Sequence, residues 1–246
     1  MLEESIRGMA ARLQALLAPY DPAMILYGSV VLDDFRAGWS DIDFILLTAR
    51  PLEPPLAGRL VTLRQDLLAE THNPYFRRFE GGILSREGLF AGRTEPVIYW
   101  GTSGQRLTER YELDPFARLV LRESGRPLLG EDFRADLPRP SRRELVAAVV
   151  GQYRTVRAHG HAGSDWFFTI ARCLYTLRTN RVIAKTKAGE WALAEGLCPD
   201  PEILARVLAL RQRPRELLGP ADTQWLAGLG PAIQRFADVL ATALRQ

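Results

Sequence analysis

Long apolar runs are missing from this sequence. Apolar runs such as those at positions 44–47 and 145–150 fall far short of the ~18–20 residues that a bilayer span requires, so no membrane anchor and no membrane partner are expected. Cysteine is scarce: Cys173 and Cys198 are the only two. Both sit in apolar helical contexts without the spacing of a metal knuckle, as free thiols do in a reducing cytosol, and neither is a candidate for chemistry. The three histidines, His72, His159 and His161, have no spacing that would gather them on a metal. Lysine is almost absent, with only Lys185 and Lys187, and the 32 basic residues are nearly matched by 29 acidic ones. The arginines are spread over the whole chain rather than clustered, so a nucleic-acid partner is not expected. The first residues place Glu3 and Glu4 where a secretory signal would carry positive charge. Their apolar positions have helical spacing, which points to an amphipathic helix of a cytoplasmic protein.

What is present is enough apolar material for a core. With 246 residues and 47% hydrophobic content, one or two domains can form. The first half alternates helical and strand-like patterns. A helix is predicted over 3–18, short buried strands over 24–27 and 42–47, a helix over 55–72 entered through a proline, and further strands over 76–84 and 96–100. The run DLPRPS at 136–141 carries two prolines, followed by Ser141 as helix cap and Glu144 to complete a capping box. The domain boundary is therefore placed between 138 and 139. Beyond it, helical periodicity covers 141–158, 164–179, 187–195, 201–212 and 222–244. The expected fold is α+β: a small mixed-sheet domain over 1–138, followed by an all-α helical bundle over 139–246.

The segment LYGSVVLDDFRAGWSDIDFILL, residues 26–47, carries the chemistry. A strand ends at Gly28-Ser29, eleven residues intervene, and Asp41 and Asp43 open the next strand. Side chains two apart on a strand share a face, so both carboxylates look at one site while Ile42 enters the core. Two carboxylates held together repel unless a cation or proton lies between them, and hard oxygen ligands of this kind suit Mg²⁺ and its phosphate partners. Gly28 lets backbone approach a phosphate, and Ser29 and neighbouring amides near a helix N-terminus could donate to its oxygens. Asp33 and Asp34 lie in the intervening stretch and read as solvated.

Gly28-Ser29 with Asp41-Ile42-Asp43 resembles the signature of the DNA polymerase beta-like nucleotidyltransferase superfamily. A second match, ARCLYTLRTNRVIAKTKAGEWAL at 171–193, extends the likeness to the C-terminal half. The chain resembles, more narrowly, the aminoglycoside 3''-adenylyltransferase (streptomycin/spectinomycin adenylyltransferase) family with its C-terminal helical domain. The resemblance implies a Mg²⁺-dependent adenylyltransferase of the antibiotic-resistance type. It would move AMP from ATP to a hydroxyl of a small molecule, such as streptomycin or spectinomycin, and release pyrophosphate. It also implies a third carboxylate as metal ligand or general base. Glu80, alternating with Phe79 in the strand after the long helix, is the choice, with Glu87 and Glu95 as rivals. Arg172 and Lys185 match positions assigned to the nucleotide's phosphates. Asp165 matches an acidic contact to a cationic acceptor, or is simply a helix first-turn acid. In the segment after the Glu80 strand the family uses an aromatic for the acceptor; here Thr102-Ser103 stands where an acidic-Trp pair is expected, leaving Trp100 or Tyr99 to substitute. Trp191 reads as core packing. Two other readings remain open: a nucleotidyltransferase acting on a protein or RNA, and a catalytically silent nucleotide-binding regulator.

Overall fold

The computed structural model describes residues 1–101 and 104–246. The departures at Thr102 and Ser103 lie outside the described residues. The chain forms two compact units: residues 1–31, 41–113 and 120–138 make one, and residues 32–40, 114–119 and 139–246 the other. Two short segments, 32–40 and 114–119, thus belong with the helical unit, which a single break in the sequence does not provide.

The first unit is built on a six-stranded mixed sheet in the order β5-β4-β3-β2-β1-β6. Its elements are α1 (Leu2–Leu17), β1 (Ala23–Tyr27), β2 (Ile42–Thr48), α2 (Pro54–Ala69), β3 (Phe79–Ser85), α3 (Arg86–Phe90), β4 (Val97–Gly101) and β5 (Gly104–Thr108); after α4 (Pro115–Ser124) comes β6 (Arg126–Leu129). Among the described residues, only β2 and β3 run parallel. Parallel neighbours need a crossover, which α2 supplies, whereas antiparallel ones can turn directly. Helix α1 buries Ile6, Met9, Leu13 and Leu17 completely, the three- and four-residue spacing of one apolar stripe, and packs beside β6. Helix α2 begins at Pro54, where a missing N–H costs nothing, and its buried stripe runs Leu56, Leu60, Arg64, Leu67. A guanidinium thus occupies a core position.

The strand expected over 76–84 starts later. Residues Phe76–Arg78 form a turn of 3-10 helix and β3 begins at Phe79. Strand β5, helices α3 and α4, and β6 have no counterpart among the expected elements; β5 and β6 are four or five residues long, too short for periodicity to register.

The second unit is helical: α5 (Arg142–His159), α6 (Asp165–Thr179), α7 (Lys185–Ala194), α8 (Pro201–Arg211), α9 (Pro220–Ala227) and α10 (Gly230–Ala243). Central α6 packs against α5, α7 and α10, burying Phe167, Phe168, Ile170 and Ala171 among Val149, Val156, Ile233 and Phe236. The capping box of α5 is formed, with Ser141 accepting from Glu144 N–H and Glu144 accepting from Ser141 N–H. The single helix expected over 222–244 is two, because α9 stops at Gly228 and Pro231 starts the next.

The N-cap position of helix α7 is Ala184, whose methyl group cannot accept a hydrogen bond. The cap comes from far away in sequence: Asp34 accepts from Thr186 N–H at 3.0 Å and from the Thr186 hydroxyl. Asp34 is only 3% exposed, which corrects its reading as a solvated residue. Its carboxylate lies 3.6 Å from Arg211, itself 1% exposed. A charge buried to this degree persists because it is both paired and hydrogen-bonded.

Candidate functional site

The end of β1 and the start of β2 bring the Gly-Ser and Asp-x-Asp motifs together. Tyr27 pairs with Asp43 across the antiparallel β1–β2 ladder, and the chain leaves β1 at Gly28 with φ +72°. That left-handed backbone favours glycine, and so does the space: a Cβ on Gly28 would stand 1.9 Å from Asp43 Oδ2. The conformation of Gly28 is what lets the Asp43 carboxylate lie against the backbone. Residues 28–33 then form turns rather than a helix, so amides of a turn, not of a helix N-terminus, adjoin the carboxylates. The Ser29 hydroxyl donates to the Asp41 carbonyl at 3.2 Å, tying one motif to the other.

Ile42 is fully buried while Asp43 is partly exposed, the alternation that strand geometry imposes. Across the parallel β2–β3 pair, Asp43 is directly opposite Glu80 and Ile42 opposite Phe79. In-register neighbours point to the same face, at a strand spacing of about 4.8 Å, so Asp43 and Glu80 share one face of two adjoining strand ends, and Asp41 lies just before the first residue of β2. Arg78 lies 3.9 Å from Asp41, and the Tyr99 phenol donates to Glu80. Burial, and next the Glu80 carboxylate, push that phenol above the ordinary tyrosine range, so it remains a proton donor. Among the described residues, no group of three or more His, Cys, Asp and Glu is gathered closely enough to hold a metal ion as it stands. The donors on this face are nonetheless all carboxylate oxygens, the chemistry that suits a hard divalent cation such as Mg²⁺.

The rivals of Glu80 are occupied elsewhere. Glu95 is 6% exposed and accepts from Ser85 N–H at 2.6 Å and from the Ser85 hydroxyl, bracing the start of α3. Glu87 is on the surface and pairs with Arg93 at 2.7 Å.

Trp100 is corrected by the same alternation. It pairs with Gly81 on the opposite face from Glu80, is 0% exposed, and meets Phe44 edge-on at 5.8 Å between ring centroids. An indole enclosed in this way cannot touch an acceptor; it is core. Its neighbour Tyr99 holds the other face, with Tyr111 6.2 Å away and the Arg106 guanidinium 4.4 Å over its ring. Sequence reasoning also passed over Arg64. Its guanidinium donates to the carbonyls of Phe76 at 2.7 Å, Arg77 at 3.1 Å and Gly101 at 3.2 Å. Burial lowers its pKa, and the charges of Glu80 and Asp41 oppose that shift: the carboxylates stand in the field of a cation sealed into the core. The one signal available was its place on an otherwise apolar helical stripe.

In the helical unit, Lys185 and Asp165 meet. Lys185 Nζ lies 3.6 Å from Asp165 Oδ1, and Arg211 donates to the same oxygen at 3.3 Å. Asp165 is in the first turn of α6 and about half exposed, so both a helix-end role and an outward-facing one are geometrically open to it. The Arg172 guanidinium lies 5.7 Å over the Phe116 ring. Trp191 is partly buried against the helical core and meets Tyr175 edge-on.

Among the described residues no helix is long and apolar enough to cross a membrane. No curated protein matches the sequence significantly. Among solved structures, the chain is similar to a spectinomycin adenyltransferase, AAD(9) from Enterococcus faecialis, determined with ATP and spectinomycin. The TM-score is 0.69 at 14% identity, over 97% of this chain and 99% of that one. This likeness shows a shared α+β fold along the whole length. Residues 141–242 match the family described as aminoglycoside adenylyltransferase, C-terminal domain. The C-terminal part of the chain is thus similar to the aminoglycoside adenylyltransferases.

Proposed function

We propose that this protein transfers AMP from ATP to a hydroxyl of an aminocyclitol or aminoglycoside antibiotic of the spectinomycin and streptomycin type, releasing pyrophosphate. The observation that carries the reading is the register of β2 against β3. It sets Glu80 beside Asp43, two residues after Asp41, in a chain whose residues 141–242 match the C-terminal domain of aminoglycoside adenylyltransferases. The similar enzyme with ATP and spectinomycin supports the choice of donor and acceptor. Residues 1–138 would act as the nucleotidyltransferase domain and 139–246 as its helical partner, working in the cytoplasm where ATP is supplied.

In this reading Asp41 and Asp43, with Glu80, hold Mg²⁺, which when bound supplies positive charge against the phosphoryl oxygens. Glu80 takes the proton of the acceptor hydroxyl as its oxygen bonds to the α-phosphorus, and the bond from that phosphorus to the pyrophosphate oxygen breaks. Gly28, Ser29 and the adjoining turn amides bind phosphate through backbone and hydroxyl donors. Arg172 and Lys185 bind the polyphosphate, and Asp165 contacts the cationic acceptor.

The test is pyrophosphate release by purified protein with Mg²⁺ and ATP, against spectinomycin, streptomycin and non-drug hydroxyl compounds. Drug-dependent release, lost in Asp41→Asn while the melting temperature is retained, is expected. Release only with a non-drug compound would replace the substrate, and no release with any of them would refute the reading.

A further inference from the structure

Glu80 is gripped from the neighbouring strand. Tyr99 pairs with Gly82, two residues beyond Glu80 on the same face of β3, and from there its hydroxyl reaches Glu80 Oε1. The tyrosine ring has little freedom to leave. Arg106 covers it, Tyr111 lies beside it, and Tyr111 shares a hydrogen bond of 3.4 Å with Tyr27 on β1. Two glycines make room for this arrangement: a Cβ on Gly82 would come within 3.0 Å of the Tyr111 ring, and one on Gly101 within 2.9 Å of the Tyr99 ring.

We propose that Tyr99 is a positioning residue for adenylyl transfer, its hydroxyl setting the rotation of the Glu80 carboxylate and hence the direction in which that carboxylate meets the acceptor. The inference rests on Glu80 being the base of the proposed reaction. A glutamate's terminal torsion is broad and nearly two-fold, so a carboxylate without such an anchor samples many orientations, few of them aligned for proton transfer. Anchoring one oxygen removes that search before the substrate arrives.

The test is steady-state kinetics of Tyr99→Phe, which deletes only the hydroxyl, with spectinomycin or streptomycin as acceptor and Glu80→Gln measured in parallel. Losing one hydrogen bond to a charged group predicts a fall in kcat of about tenfold, with KM for ATP and for the drug, and the melting temperature, unchanged. Wild-type kcat in Tyr99→Phe would overturn the proposal. So would a raised drug KM at unaltered kcat, which would make Tyr99 an acceptor contact. Full activity in Glu80→Gln would instead remove the base on which the inference rests, and a wild-type enzyme inactive with both drugs would show the proposed function itself at fault.

Discussion

A methyl group at Gly28 would enter space that the Asp43 carboxylate occupies. The added Cβ would stand 1.9 Å from Oδ2 and 2.7 Å from Cγ, where real Cβ contacts are essentially never under 3.0 Å; the carboxylate must therefore retreat by about 1 Å. A misplacement of about 1 Å in a reacting constellation can cost on the order of a hundredfold, equivalent to about 2.7 kcal/mol of activation free energy. Holding φ at +72° with a side chain adds about 1–2 kcal/mol of backbone strain, which for a chain of this size lowers the melting temperature by roughly 2–8 °C. Gly28→Ala should consequently fold, melt slightly early and lose at least about a hundredfold in kcat/KM. The assay pairs thermal melting with ATP- and drug-dependent pyrophosphate release. Gly151→Ala is the control: that glycine lies in the middle of α5 with nothing within 4 Å of an added Cβ, so alanine should stabilise by about 0.5–1 kcal/mol and leave turnover alone. Turnover of Gly28→Ala within about threefold of wild type would refute the argument that Gly28 exists to seat Asp43.

Asp34→Ala leaves the buried Arg211 with Asp165 as its remaining carboxylate and uncaps α7, and removing one partner of such a buried pair costs up to about 3–5 kcal/mol; denaturant unfolding measures it, and a loss below about 1 kcal/mol would mean the pair is not stabilising. Burial pushes the Cys173 thiol up to about 12 and the Cys198 thiol to about 11. The folded protein should resist thiol reagents at pH 8 and release two equivalents only when unfolded, as counted by mass spectrometry. Hydrogen bonds from the Ser141 N–H and hydroxyl, then Arg118, hold the Glu144 carboxyl at about 2. A carboxyl depressed in the folded state stabilises fully above its unfolded value near 4.5 and loses that contribution as pH falls toward the folded one. The stability difference between wild type and Glu144→Gln should thus be constant above pH ~5 and vanish toward pH ~2, as read by melting at a series of pH values.

Local chemistry explains what could be read ahead of the structure. Helix α5 was legible because its capping box lies within four consecutive residues, 141–144, and the core strand after Asp41 because an apolar run of that length folds one way next to an alternating carboxylate pair. The family likeness was legible for the same reason, since both motifs are short and contiguous. Strand β5 and the break between α9 and α10 were not, since a few residues carry too little periodicity to outvote their neighbours.

The sequence by itself determined the α+β class, the boundary composition near 138 and the alternation that buries Ile42 and leaves Asp43 partly exposed, because each depends on residues adjacent in the chain. Tertiary structure alone decided the rest. Pairing register chose Glu80 as the neighbour of Asp43 and turned Tyr99 toward it and Trp100 away; a slip of one residue would exchange those two aromatics, and nothing local forbids it. Long-range packing turned Asp34 into the cap of a helix 152 positions later and placed Arg64 under the carboxylates. A charged residue is read as solvated until its partner is known, and the partner is a property of the fold.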